Sequence, residues 1–74
     1  MRYTAKHIGD TVQKTRKAMD VTQKDLALTS GTGLRFIIEL EKGKPTCQLE
    51  KTLAVLTTLG IKVDLIPPHT RTER

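Results

Sequence analysis

The sequence predicts a small, mainly α-helical fold of four to five helices followed by one C-terminal β-strand. Apolar residues recur at three- and four-residue steps in two stretches, 8–19 and 47–59, which is the period of an amphipathic helix. Between them lie two shorter helical stretches separated by glycines. Near the end of the chain the apolar period becomes alternating, which indicates a strand.

Length and charge narrow the class of protein. The chain has 74 residues, a formal net charge of +5 at pH 7 and a pI near 9.7. We expect one domain over 1–74, with a core at 8–59 and a flexible tail at 67–74. The basic balance favours a polyanionic partner, nucleic acid above all, over the alternative of a merely solvated basic surface.

The sequence lacks the residue patterns of an enzyme or a metal site. A single cysteine, Cys47, excludes an internal disulfide and a multi-cysteine zinc site. No glycine-rich phosphate loop follows a strand, and we expect no catalysis, no metal and no cofactor. Cys47 opens the last predicted helix and is either a reactive thiol or an inert small residue. No apolar run is long enough for a signal peptide or a membrane span, so we expect a cytoplasmic protein without a membrane partner.

The central stretch, 21–43, predicts two short helices joined by a tight turn. Thr22 is expected to cap the first helix, and Asp25 completes a capping-box pattern three residues later. Gly31 and Gly33 permit the sharp corner, and the second helix runs from there to the end of the stretch. Two helices joined in this way form the DNA-binding helix-turn-helix, whose second helix enters the major groove.

The outer helices are expected to pack around this unit. The predicted stripe of the first helix consists of Ile8, Val12, Thr15 and Met19. The predicted stripe of the last helix consists of Leu49, Leu53, Leu56 and Leu59, with Thr46 as its cap. From the central helices we expect Leu26, Ala27, Ile37 and Leu40 to face inward. Arg16 and Glu41 are expected to form a structural ion pair where the first helix meets the end of the third.

Nine residues are predicted to contact double-stranded DNA: Gln23, Thr32, Gly33, Leu34, Arg35, Ile38, Glu39, Lys42 and Lys44. Gln23 lies in a helical first turn, where free backbone N–H groups attract a phosphate. Arg35 is best suited to read guanine through O6 and N7, although a phosphate contact is an open alternative. Leu34 and Ile38 suit thymine methyls, and Glu39 can accept from cytosine N4. The two lysines either hold phosphates or are solvated.

The alternating segment 61–66 has no other predicted strand to pair with. It consists of Ile61, Lys62, Val63, Asp64, Leu65 and Ile66. We expect it to pair with the same strand of a second subunit across a two-fold axis, which makes a homodimer. An antiparallel pair centred on Val63 places Lys62 opposite the partner subunit's Asp64, twice. The alternative is an extended tail packed on its own domain.

Several of these residues together resemble the Xre/Cro helix-turn-helix family of phage repressors. The resemblance is carried by the TQKDLA motif, the Gly-x-Gly turn, Ile37, Glu41 and Gly43, and it covers about 8–59. It implies a lambda-repressor-like fold. In that family the position of Gln23 grips a phosphate, and the positions of Leu34, Arg35 and Glu39 face base edges. The positions of Arg16 and Glu41 match a recurring buried ion pair.

Residues 31–67 are similar to HipB-like antitoxins, through the Arg-Phe-Ile core, the Glu-x-Gly-Lys-Pro-Thr loop and the terminal strand. This resemblance implies terminal strands paired across a homodimer and a nucleoid-associated repressor of its own toxin operon. It also implies a complex with a HipA-like Ser/Thr kinase toxin. Two alternatives stand beside it. One is a phage-type Xre regulator without a toxin. The other is a protein-interaction module that has lost DNA binding, which the apolar residues Leu34, Phe36 and Ile38 favour.

Overall fold

The structure, a computed structural model, describes residues 4–68, and these contain four helices. They are α1 (Ala5–Ala18), α2 (Gln23–Ser30), α3 (Leu34–Glu41) and α4 (Leu49–Thr58). The predicted helical core, with four helices, is confirmed. Most of the predicted flexible tail, from residue 69 onward, lies outside the described residues. Within 4–68, no helix combines the length and the apolar character that crossing a bilayer requires.

Helix α1 begins earlier than predicted because Thr4 caps it. The Thr4 hydroxyl accepts the backbone N–H of His7 at 3.1 Å. The buried residues of the helix are Gly9, Val12 and Arg16. Met19, which was predicted to belong to the apolar stripe, is instead the C-cap and is 51% exposed. The prediction was wrong for Met19, because the last buried position of the helix is occupied by the polar residue Arg16.

The turn between α2 and α3 has the geometry that its glycines predict. Thr22 caps α2 by accepting the Asp25 N–H at 3.0 Å. Gly31 ends the helix in the left-handed region, at φ 72°, and its N–H donates to Ala27 O at 3.0 Å. Gly33 precedes α3 at φ 95° and ψ 149°, a conformation that is essentially restricted to glycine. The corner therefore depends on two glycines with different backbone conformations.

The core consists of apolar side chains from all four helices and the residue after α4. Its buried members are Val12, Leu26, Ala27, Ile37, Leu40, Val55, Leu56 and Leu59. Helix α3 packs against α1 and α2, and α4 packs against α2. The four residues of α2 and α3 that were predicted to face inward are buried, so this prediction is confirmed. One face of α3 is thereby held against two helices.

Close contact between α1 and α3 requires a glycine in α1. A Cβ atom at Gly9 would clash with the main-chain oxygen of Leu40 and would lie 3.1 Å from the oxygen of Glu41. Both obstacles are backbone atoms, which cannot rotate away as a side chain can. Gly9 therefore fixes how near the first helix comes to the third.

Helix α4 differs from its prediction at its start and on its buried face. Its N-cap is Gln48, which makes no side-chain capping bond, so the predicted cap at Thr46 is wrong. Leu49 and Leu53 are 70% and 40% exposed, whereas Val55 is fully buried. The side of the helix that faces the core is instead formed by Thr52, Val55, Leu56 and Leu59. The first two leucines of the predicted stripe therefore lie outside the core.

The segment after α4 is anchored by Ile61 and then runs exposed. The Ile61 N–H donates to Leu56 O at 2.9 Å, and the Ile61 side chain packs half-buried against the core. Residues 62–66 are exposed, and residues 4–68 contain no strand. The predicted strand therefore does not form within one chain. The strand was predicted from its alternating pattern, and pairing between two subunits was the favoured way to complete it; that pairing stays a prediction.

Candidate nucleic-acid interface

The structure places most of the predicted DNA contacts at the surface. Gly33, Leu34, Arg35, Lys42 and Lys44 are exposed, and Gln23, Ile38 and Glu39 are half-buried. Thr32 is the exception, because it is only 8% exposed and its hydroxyl lies 2.9 Å from the Ser30 hydroxyl. Thr32 thus supports the turn from beneath, and its side chain does not reach the outer face.

The first turn of α3 presents an apolar and a cationic side chain together. Leu34 is 44% exposed, and the side chain of Arg35 is 90% exposed. Gly33, the N-cap, contributes no side-chain capping bond. In a helix-turn-helix the N-terminal residues of the second helix are those that reach base edges. Arg35 therefore occupies a position from which a guanidinium can enter a groove.

Glu39 bridges two of the predicted DNA-contacting cations. Its Oε1 accepts from Lys44 Nζ at 3.2 Å, and its Oε2 lies 3.5 Å from Arg35 Nε. The hydrogen bond from Lys44 is the main cause that holds the pKa of the Glu39 carboxyl below its ordinary value; partial burial opposes it, and Arg35 adds a smaller lowering effect. The carboxylate therefore stays ionised at neutral pH with both oxygens engaged. We call Arg35, Glu39 and Lys44 the Glu39 bridge.

A buried ion pair joins α1 and α3 behind the interface. Arg16 Nε donates to Glu41 Oε2 at 2.7 Å and Nη2 donates to Oε1 at 3.1 Å. Nη1 donates to Val21 O at 2.8 Å. The two charged side chains are only 9% and 2% exposed, and the hydrogen bond to Glu41 raises the pKa of Arg16. The structure thus brings together the two residues that were predicted to pair.

Gln23 is attached to the same carboxylate. Its Nε2 donates to Glu41 Oε1 at 3.0 Å, which leaves the second hydrogen of the amide for another acceptor. Thr22 caps the Asp25 N–H only, so the earlier N–H groups of α2 have no intrahelical partner. A shallow groove at this end of α2 is lined by the basic Lys17 and also by the acidic Asp20. This combination suits a phosphate oxygen.

Sequence reasoning missed how Gln23 is positioned. Gln23 meets Glu41 across 18 residues of sequence, and no local pattern signals that contact. Phe36 packs half-buried against the core, and Lys51 Nζ lies 5.8 Å from its ring centroid. Helix α3 is therefore less apolar on its outer face than its sequence suggests, because Phe36 turns toward α4.

The thiol of Cys47 has the environment of an unreactive cysteine. Cys47 precedes α4 instead of lying in its first turn, and it packs half-buried against the core. Burial and the nearby Glu39 carboxylate raise its pKa, while Lys44 opposes them. These observations favour the inert alternative. Within residues 4–68, no three His, Cys, Asp or Glu side chains are grouped so that they could hold a metal ion.

Comparison with known proteins places this geometry in context. No family model matches the chain. Over 68 residues the chain is 47% identical to the uncharacterized HTH-type transcriptional regulator y4mF of Sinorhizobium fredii (strain NBRC 101917 / NGR234). The aligned region covers 92% of this chain and 90% of the relative. The similarity therefore extends well beyond the two central helices.

Proposed function

The chain belongs to the family of helix-turn-helix transcriptional regulators, and we propose that it is a sequence-specific repressor that binds a palindromic operator as a homodimer and controls its own operon. One observation carries the proposal. The exposed first turn of α3, with Arg35 90% exposed, lies in a helix-turn-helix whose other helix presents Gln23 and unpaired N–H groups. The two helices thus supply a group that can read a base, on α3, and a group that can bind a phosphate, on α2.

In the proposed complex α3 lies in the major groove. Arg35 binds guanine O6 and N7, a contact worth about 1–3 kcal/mol of discrimination against a wrong base. Leu34 and Ile38 contact thymine methyls, while Gln23 and the N-terminus of α2 hold the backbone. Lys42 and Lys44 add phosphate contacts. With a net charge of +5, affinity falls steeply as salt rises, because each phosphate contact releases a counterion.

The dimer is proposed to form through residues 61–66. Val63, Leu65 and Ile66 are 49%, 87% and 74% exposed, which is unfavourable for apolar side chains in an isolated subunit. Pairing two copies antiparallel about Val63 would satisfy the backbone and align opposite charges. To bind two half-sites, the proposed dimer must hold its two α3 helices about 34 Å apart, one turn of DNA. Val63→Pro removes a ladder N–H and should yield monomers by light scattering, whereas Val63→Thr should remain dimeric.

The DNA-binding step is tested by gel shifts on the DNA upstream of the gene. We expect sequence-specific binding that Arg35→Ala abolishes. The matched control is Lys14→Ala, which removes the same charge from an exposed residue of α1. Lys14 lies two residues before the buried Arg16 and so on the opposite side of that helix. Equal losses in both variants would indicate only charge attraction, and no binding at low salt would exclude a repressor.

The proposal extends to an antitoxin role in the cytoplasm, with a HipA-like Ser/Thr kinase as the toxin. The support is the similarity of 31–67 to HipB-like antitoxins. Affinity capture from native lysate followed by mass measurement tests it. A stoichiometric kinase-sized companion supports the antitoxin. A dimer that binds the operator without a companion favours the phage-type Xre regulator.

Exposed apolar groups beside the recognition helix favour the protein-interaction alternative. Leu28 is 74% exposed and Leu34 is 44% exposed, and both line a shallow surface over Gly31 and Gly33. Leu28→Lys distinguishes the two functions. If the surface serves a protein partner, this variant loses the companion in affinity capture. If α3 reads DNA and this surface binds no protein, the variant still binds the operator and any companion protein.

A further inference from the structure

We propose that Glu39 determines specificity by acting as an internal competitor of DNA: it holds Arg35 and Lys44 in ion pairs within the protein and so weakens binding to incorrect sequences. The inference rests on the proposed DNA-binding function and deepens it. It assigns Glu39 a role beyond the base contact that its position predicts. It also explains why an anionic side chain is tolerated in the middle of the DNA-facing helix.

The geometry gives Glu39 the means to compete. Its two carboxylate oxygens are divided between two cations, with Lys44 Nζ 3.2 Å from Oε1 and Arg35 Nε 3.5 Å from Oε2. Arg35 lies one helical turn before Glu39, and Lys44 lies in the loop after α3. The carboxylate therefore reaches a cation on each side of it along the DNA-facing surface. A phosphate oxygen that approaches Lys44 Nζ or Arg35 Nε therefore competes with the Glu39 carboxylate.

The competition affects correct and incorrect DNA differently. A duplex that binds Lys44 Nζ or Arg35 Nε must displace the Glu39 carboxylate from them, and the cost of that step is the same for every sequence. On a site with guanine in reach, Arg35 gains two hydrogen bonds to O6 and N7. The released Oε2 can then accept from cytosine N4 in a neighbouring base pair. The common cost cancels in the specificity ratio, so the discrimination comes from the released carboxylate: it gains a hydrogen bond on the correct site, whereas on other sequences it is left beside the phosphates without a partner.

The expected effect is moderate because the bridge is exposed to water. Exposed ion pairs are individually weak, so freeing two cations together should strengthen non-specific binding about three- to tenfold at low salt. The two cations can then take phosphates, which should steepen the log–log salt dependence by about one to two.

The test compares Glu39→Gln with Glu50→Gln, which makes the same charge change at an exposed residue of α4. The DNA is a duplex selected by the wild-type protein from a random pool, together with a scrambled duplex of equal length and composition. Fluorescence anisotropy gives both affinities over a range of salt concentrations. We expect Glu39→Gln to bind the scrambled duplex about three- to tenfold tighter and with a steeper salt slope, which lowers its specificity ratio. Adding Lys44→Ala to Glu39→Gln should remove part of that gain.

The contrary outcomes are distinct. If both glutamine variants bind the scrambled duplex equally, Glu39 acts only through net charge and the inference fails. If Glu39→Gln weakens the selected duplex and leaves the scrambled one unchanged, Glu39 only reads a base or orients Arg35, and the inference again fails. In either case, sequence-selective binding by the wild-type protein would still support the proposed repressor function. If the wild-type protein selects no sequence, the proposed function itself fails, and the inference fails with it.

Discussion

Replacing Glu41 by glutamine should remove much of the stability of the fold. The change keeps the size and shape of the side chain but leaves the guanidinium of Arg16, whose side chain is 9% exposed, without its carboxylate. Removing one member of a buried ion pair costs about 3–5 kcal/mol. Because the glutamine oxygen can still accept one hydrogen bond, we expect the low end, about 3 kcal/mol. Small domains have about 5–15 kcal/mol in total, so this is a large fraction.

Urea unfolding followed by circular dichroism measures this loss. With a slope of about 1 kcal/mol per molar urea for so short a chain, the midpoint should fall by about 3 M. Thermal unfolding should shift down by about 12 °C or more. Protein concentration must be the same for all variants, since self-association would add to the apparent stability. The control, Glu50→Gln at an exposed residue, should stay within about 0.5 kcal/mol of the wild-type protein.

A double variant separates the lost charge from the lost packing. Buried ion pairs can often be replaced by apolar side chains of similar volume without loss. Arg16→Met combined with Glu41→Leu should therefore be more stable than Glu41→Gln, although Val21 O and Gln23 lose their partners. A loss below about 1 kcal/mol in the single variant, or a double variant less stable than the single one, would refute the reasoning.

Three further outcomes follow from packing and charge. Gly9→Ala should lower the free energy of unfolding by about 1–3 kcal/mol, because its Cβ meets backbone oxygens of α3; thermal unfolding measures this. Leu26→Ala should cost about 2–5 kcal/mol by urea unfolding, whereas Leu28→Ala, at an exposed leucine two residues later, should cost less than about 0.5 kcal/mol; similar losses would contradict the assigned core. The Cys47 thiol should react faster with a thiol reagent at neutral pH in Glu39→Gln, since the lost carboxylate lowers its raised pKa and increases the thiolate fraction; an unchanged rate would show that the two groups are not coupled.

Local rules predicted the turn between α2 and α3 and the cap of α2. Gly31 and Gly33 adopt the conformations that distinguish glycine from other residues, and Thr22 satisfies an N–H three residues away. These features depend on neighbours in sequence. Gly9 was also open to prediction, because a glycine inside a helical pattern often marks a close backbone approach.

Features set by packing partners could not be predicted from the sequence in the same way. Helical periodicity identified α4, but the side that faces the core is chosen by α2, which buries Val55 and leaves Leu53 40% exposed. The hydrogen bond between Gln23 and Glu41 and the bridge between Glu39 and Lys44 join different elements. Their geometry depends on helix positions that no single segment specifies.

The Glu41 carboxylate accepts from Arg16 of α1 and Gln23 of α2 while it belongs to α3. One buried anion therefore fixes the mutual orientation of three helices, and residues 34 and 35, both exposed, carry little of the packing. During evolution, substitutions at those two positions could therefore change the DNA target without destabilising the fold. The same separation makes the pair a suitable place to randomise in a library, because most members should remain folded.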